Sequence, residues 1–381
     1  MYLRSLHLRY FRNYVDQAIA LSAPKTILVG DNAQGKTNVL EAVEILATLK
    51  SHRANRDREL VHNQAARGAI SAEIERLGTS HELQVELRSQ GRRTVRADSQ
   101  VMRRRVDFLG QVNAVSFSSQ DLDLVRGGPG ERRTWLDGIL VQLEPVYADI
   151  LDQYKQVLRQ RNALIKAQFD RAGEAADLTA WDGQLVAAGT RVMRRRARLL
   201  ERLQPLASQW HQKISGDREV LDLTYQPQVP LTDVRADIQA IQTTFWDEIQ
   251  IKSAAERARG TSLVGPHRDE VNLSIDGIPA REYGSQGQQR TLVLALKLAE
   301  VELIEQVIKD EPLLLLDDVL AELDLHRQNQ LLDAIADKIQ TLVTTTHLGT
   351  FDARWLNSAQ IFNVESGHLS AADIPTHLLR V

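Results

Sequence analysis

Residues 26–29, "TILV", run directly into "GDNAQGKT" at 30–37, and then into "NVLEAVEILATL". No other stretch constrains the fold so tightly. An apolar strand must end at a glycine-rich turn, and that turn must open a helix. The spacing is G-x-x-x-x-G-K-[ST], met by Gly30, Gly35, Lys36 and Thr37. Glycines let backbone N–H groups close around an anion, the lysine reaches outer phosphate oxygens, and the hydroxyl suits a hard cation. The helix behind the turn adds its N-terminal dipole. Gly30, Asp31, Asn32, Ala33, Gln34, Gly35, Lys36 and Thr37 are therefore the expected cradle for ATP phosphates, with Thr37 an expected Mg²⁺ ligand.

A phosphate loop needs carboxylates to finish the chemistry, and "LLLLDD" (313–318) supplies two at the end of a wholly apolar strand. Asp317 is the expected Mg²⁺ partner. Asp318 is the expected group that orients or deprotonates the attacking water. The plain alternative is that both acids cap the next helix. In "YGSQGQQRT" (283–291), Ser285, Gly287 and Gln288 stand at the start of a long helix, where a hydroxyl and backbone N–H groups can meet an anion. Here the alternative is an N-capping serine. "TTTH" places His347 just past the next strand, within reach of a γ-phosphate. Gln120, ending "SFSSQ", can bridge Mg²⁺ and the attacking water.

The 381 residues suffice for two domains, and a chain 43% hydrophobic and 25% charged reads as a globular protein. There is no cysteine. That excludes a disulfide scaffold and thiolate chemistry and agrees with a cytoplasmic location. No apolar run is long enough to span a membrane. A formal net charge of −3 argues against indiscriminate coating of nucleic acid, but arginine is clustered. "RSQGRRTVRADSQVMRRR" (88–105) and "RVMRRRAR" (191–198) are candidate phosphate contacts, with Arg103, Arg104 and Arg105 singled out. Solvated faces of a hairpin and a helix are the alternative.

Along the chain, alternating runs such as "AISAEIERL" and "HELQVELR" read as half-buried antiparallel strands. After "RGGPGERR" (126–133) the texture turns helical, with two long segments joined by a short loop, "DRAGEAAD", and so expected to return antiparallel. Strand signals resume at "EVNLSIDGIPA", where Asp276-Gly277 marks a hairpin. The expected architecture is an α/β ATPase domain of residues 1–130 and 260–381, interrupted by a helical arm of residues 131–259.

A phosphate loop, a glutamine after a strand, an S-x-G-x-Q signature, an acidic strand end, "AELD" (321–324) and a histidine occur in this order in ABC-type ATPases. The long gap before the signature resembles the SMC-like branch with a short arm. Within it the chain resembles the RecF family, on "FRNY" (11–14), "GDNAQGKTNVLEA" (30–42), "GGPGERRTWLD" (127–137), "LRQRNALIK" (158–166), "GPHRDE" (265–270), "YGSQGQQRT" and "LLLLDDVLAELD" (313–324). It departs at Ser119-Gln120, where Pro-Glu is common, and at Ala321, where serine is usual. The resemblance implies an ABC-type head with an inserted arm, and Arg12 and Asn13 among the ATP-binding residues. It implies slow, DNA-stimulated ATP hydrolysis used as a switch, and an ATP-dependent homodimer in which Ser285, Gly287 and Gln288 meet the ATP of the opposite subunit. It further implies binding to duplex DNA and gap junctions, recombinase loading with RecR and RecO, and roles in replication and the SOS response. A transporter ATPase subunit and an SMC-like structural head are the alternatives.

Overall fold

The computed structural model describes residues 1–169, 177–231, 237–335, 338–351 and 353–372. Most of the loop "DRAGEAAD" and the opening of the segment "TDVRADIQ" lie outside these residues. The chain divides into two compact units, one of residues 1–122 together with those from 293 onward, the other of residues 123–292.

The strands, in chain order, are β1 (Tyr2–Phe11), β2 (Tyr14–Ala20), β3 (Lys25–Val29), β4 (Arg67–Arg76), β5 (Thr79–Arg88), β6 (Thr94–Ala97), β7 (Gln100–Val101) and β8 (Ala114–Ser118). The second half adds β9 (Leu221–Gln226), β10 (Glu270–Ile275), β11 (Ile278–Pro279), β12 (Leu313–Asp317), β13 (Thr341–Thr345), β14 (Ala359–Glu365) and β15 (His368–Ala371).

The first unit holds two six-stranded sheets. One is antiparallel, in the order β2-β1-β4-β5-β6-β7. Its period-two pattern works as expected: Ile70, Ala72 and Ile74 of β4 and Leu83, Val85 and Leu87 of β5 are buried, and the residues between them are more exposed. The other sheet runs β15-β14-β3-β13-β12-β8, parallel except for the β14–β15 hairpin. Leu313, Leu314, Leu315 and Leu316 of β12 are all fully buried, the continuous apolar run of a strand covered on both faces. The helix Lys36–Thr48 packs against β8, β12 and β13 of this sheet and also reaches β5 of the other.

The second unit is mostly helical, with Pro129–Leu143, Val146–Phe169, Thr179–Ser215 and Ile238–Arg259. Glu144 leaves the helical region (φ −133°, ψ 84°) ahead of Pro145, as a residue before proline is pushed to do, so the expected single segment is two helices. The pairs Arg195–Glu144 at 3.0 Å and Arg161–Asp182 at 2.7 Å show that Val146–Phe169 and Thr179–Ser215 run antiparallel. β11, β10 and β9 form a small sheet, and Asp276 and Gly277 both have positive φ, 52° and 76°, as a tight hairpin turn requires. The units divide at 122/123 and 292/293, not at the expected 130/131 and 259/260. β10 pairs with β9 from Glu270 to Ile275 and contacts the helix Pro129–Leu143, which draws 260–292 into the inserted unit.

Candidate nucleotide-binding site

The parallel sheet aligns its carboxyl ends by register: Val29 pairs with Thr345, Thr344 with Asp317, and Asp317 with Ser118. The turn at 30–37, His347, the acid pair and Gln120 therefore all follow the same edge of one sheet, where open α/β sheets place their ligands.

Within the turn, Gly35 has φ +118°, a conformation that L side chains rarely adopt. Gly30 is needed for space instead, because a Cβ there would lie 2.3 Å from the Val364 carbonyl oxygen. Lys36 Nζ folds back to donate to the carbonyls of Gly30 and Asp31, at 2.7 and 3.0 Å. It thus holds the turn in shape with its own charge. Two neighbouring segments brace the turn from outside. Asn13 Nδ2 donates to the Gln34 carbonyl at 2.8 Å and Tyr14 Oη to the Gly35 carbonyl at 3.0 Å. From the β14–β15 hairpin, Gly367 N–H donates to the Gln34 carbonyl at 3.0 Å and Ser366 N–H to Gln34 Oε1 at 2.7 Å. Arg12 makes a two-point contact with the fully buried Glu41, at 2.9 and 2.6 Å. In "FRNY", then, Asn13 and Tyr14 support the turn and Arg12 clamps the helix behind it.

Thr37 Oγ1 donates to Asp317 Oδ1 at 2.8 Å, and Thr344 Oγ1 donates to the same oxygen at 2.8 Å. Residues far apart in sequence thus meet as a hydroxyl–carboxylate pair of hard oxygen donors. Asp318 stands in the left-handed region, φ 54°, costly for a residue other than glycine and concentrated at functional sites. Its N–H is held by Thr344 Oγ1 at 2.9 Å, so one threonine fixes both acids. The Asp318 side chain makes no capping bond. Burial raises its carboxyl above the ordinary aspartate range; Lys36 lowers it in part and Asp317 raises it further. The helix cap in this stretch is Asp324, whose Oδ1 accepts from Arg327 N–H at 3.0 Å.

Gln120 is exposed in a 3₁₀ turn, Ser119–Leu122, directly after β8. That turn is fixed by Asp121, which accepts the Ser118 N–H at 2.6 Å and faces buried Lys297 at 3.7 Å. His347 is also exposed, and among the described residues its hydrogen bonds are local, with Thr346 Oγ1 2.9 Å from Nδ1.

In the second unit, Ser285 and Gln288 bond reciprocally. Gln288 N–H donates to Ser285 Oγ at 3.2 Å, and Ser285 N–H donates to Gln288 Oε1 at 2.8 Å. This is a capping box at the head of the helix Gln286–Ile308. The serine is therefore an N-cap, and the signature residues that remain exposed or half-exposed, Ser285, Gly287 and Gln288, sit where a helix dipole favours an anion. Thr344, Tyr14 and Ser366 were not singled out by sequence reasoning, although Thr344 lies inside "TTTH" and Tyr14 inside "FRNY".

A phosphate turn, an acid pair at the end of a second parallel strand of the same sheet and a capped signature helix define an ABC-type ATPase head of the SMC kind. The family model "RecF/RecN/SMC N terminal domain" matches residues 2–369. The chain is 66% identical over 370 residues, 97% of either chain, to the DNA replication and repair protein RecF of Synechococcus sp. (strain JA-2-3B'a(2-13)). It is 62% identical over 369 residues to that of Cyanothece sp. (strain PCC 7425 / ATCC 29141), covering 96% of this chain and 97% of the relative. The chain belongs to the RecF family. The solved structure of the recombination mediator protein RecF-ATPrS in the RecFOR pathway superposes with a TM-score of 0.91, 27% identity and 98% coverage of both chains. The Smc head domain from Pyrococcus furiosus shares the fold, with a TM-score of 0.54 at 16% identity and coverage of 99% of this chain and 97% of that one.

Proposed function

We propose that this protein is an ATP-switched DNA-binding factor of recombinational repair. ATP binding joins two copies around duplex DNA near single-strand gaps, and slow, DNA-stimulated hydrolysis releases them. The observation that carries this reading is the pair Thr37–Asp317 at 2.8 Å, with Asp318 beside it committed to no cap. The RecF structures described as ATP and ATPrS forms in the RecFOR pathway support the choice of nucleotide and the pathway. RecR and RecO are the partners proposed on the same ground.

In this mechanism Lys36 exchanges the Gly30 and Asp31 carbonyls for phosphate oxygens. Thr37 and Asp317 fit Mg²⁺, being hard oxygen donors already adjacent, and the ion would neutralise charge on the β- and γ-phosphates. Asp318 takes the proton of the attacking water, Gln120 orients that water, and His347 senses the γ-phosphate. Ser285, Gly287 and Gln288 serve the partner copy's ATP, which makes association depend on nucleotide.

Light scattering on the purified protein tests this. The mass should be that of one chain without nucleotide and twice that in saturating ATP. An unchanged mass in ATP that is demonstrably bound would overturn the switch.

A further inference from the structure

The long helix Thr179–Ser215 ends at Gly216, φ 69°, and the chain then passes through 217–220 into β9. That short link is not loose. Asp217 N–H donates to the Gln212 carbonyl at 2.9 Å, and Val220 and Asp276 bond each other twice, N–H to Asp276 Oδ1 at 2.9 Å and Asp276 N–H to the Val220 carbonyl at 2.8 Å. Between these anchors stands Glu219, half-buried. Its Oε1 accepts from Gln288 Nε2 at 3.0 Å. Its other oxygen faces His211 Nε2 at 3.5 Å, and His211 is fully buried on the long helix with neither ring nitrogen hydrogen-bonded.

Both ends of the Gln288 amide are thereby assigned. A carboxylate only accepts, so Glu219 fixes Nε2 towards itself and leaves Oε1 for the Ser285 N–H. Without that constraint only the Ser285 N–H orients the amide, and the reciprocal bond is held less firmly. We infer that Glu219 is a positioning residue for the signature, through which the end of the long arm helix sets the geometry of Ser285 and Gln288. The inference rests on the proposed role of the signature in trans. It goes beyond that role by making the arm a control element of the partner's ATP site. Displacing the end of the arm helix moves Glu219, and with it the signature, without touching the phosphate turn. His211 stays neutral in this arrangement, since burial lowers its pKa, and it screens one side of the carboxylate from water.

The test compares Glu219→Ala, Glu219→Gln and Ser285→Arg in the full-length protein, reading ATP affinity at protein concentrations that keep it monomeric, ATP-dependent dimerisation, and kcat with KM. Glu219→Ala should bind ATP normally yet dimerise roughly ten- to a hundredfold less tightly and lose kcat in proportion, the scale of one hydrogen bond to a charged group. Glu219→Gln keeps an oxygen acceptor for Gln288 and should restore both. A merely structural role would instead lower the melting temperature of both variants and show no such rescue, and that result would overturn the inference. So would wild-type dimerisation in Glu219→Ala beside a monomeric Ser285→Arg. Normal dimerisation in Ser285→Arg would remove the trans reading itself.

Discussion

Asp317 and Asp318 are consecutive, yet their surroundings give them different work. Asp317 accepts two threonine hydroxyls, at 2.8 Å each, and so is held in place by them. Asp318 has no such partners, is raised in pKa by burial and is presented by a left-handed backbone. Asp318→Asn should therefore leave ATP affinity near wild type while hydrolysis falls by roughly two to four orders of magnitude, the range for losing a general base. Single-turnover hydrolysis beside equilibrium nucleotide binding measures both. Equal hydrolysis by mutant and wild type would mean another base. The raised carboxyl also has a sign: its charged form is lost at a higher pH than for an ordinary aspartate, so turnover should decline early on acidification. Both acids were legible from "LLLLDD" because strand and motif coincide in sequence. Thr344 was not, since only the register of β12 with β13 says which of three consecutive threonines lies beside them.

At the scale of elements, three matched stretches had no assigned chemistry in the sequence, and the structure gives them one. From "GGPGERRTWLD", Asp137 pairs with Arg196 through two bonds of 2.9 Å, and Arg132 pairs with Glu270 at 2.8 and 2.9 Å. From "LRQRNALIK", buried Arg161 joins Asp182, Glu256 and Ser262 at 2.7 Å each. From "GPHRDE", Asp269 accepts from Gln228 N–H at 2.8 Å and from Tyr225 Oη, and the Pro266 carbonyl accepts from Arg196 at 2.6 Å. These are the ionic ties of the arm unit. Removing one partner of such a buried pair strands the other charge, at about 3–5 kcal/mol. His267 sits among them, Nδ1 2.6 Å from Tyr154 Oη and Nε2 3.2 Å from the Ser262 carbonyl. Burial, aided by Arg268, Arg133 and Arg161, lowers its pKa to about 4. The unfolded chain then binds the extra proton first, so His267 favours the folded state fully above pH 6.5 and loses that contribution as pH falls towards 4. Chemical denaturation between those limits should show the arm unit weakening on acidification, and His267→Asn flattening that trend. An identical slope in the variant would place the acid sensitivity elsewhere.

Across the whole molecule, counting arginines overstated the surface offered to phosphate. Arg196 of "RVMRRRAR" is a core residue. Of the run 88–105, Arg88 and Arg96 both pair with Glu86, and Arg93 pairs with Asp57. Arg103, Arg104 and Arg105 are exposed, with Arg104 2.7 Å from Asp107. Reversing these three to glutamate should weaken DNA binding and reduce its salt slope by up to about 3, with ATP affinity unchanged. Binding isotherms over a salt series decide it, and an unaltered slope would leave the run a solvated surface. The order of the parallel sheet has a further effect, on synthesis. β3 is made early, but its two neighbours in the sheet are β13 and β14, built far later from residues 341–345 and 359–365. At about 5–20 residues per second, the strand that carries the phosphate turn must wait many seconds for these partners to be translated. The unit 123–292 is contiguous and is complete well before that. A chain cut before residue 341 should therefore lack both strands that flank the phosphate turn, and loss of nucleotide binding by such a fragment is the expected outcome.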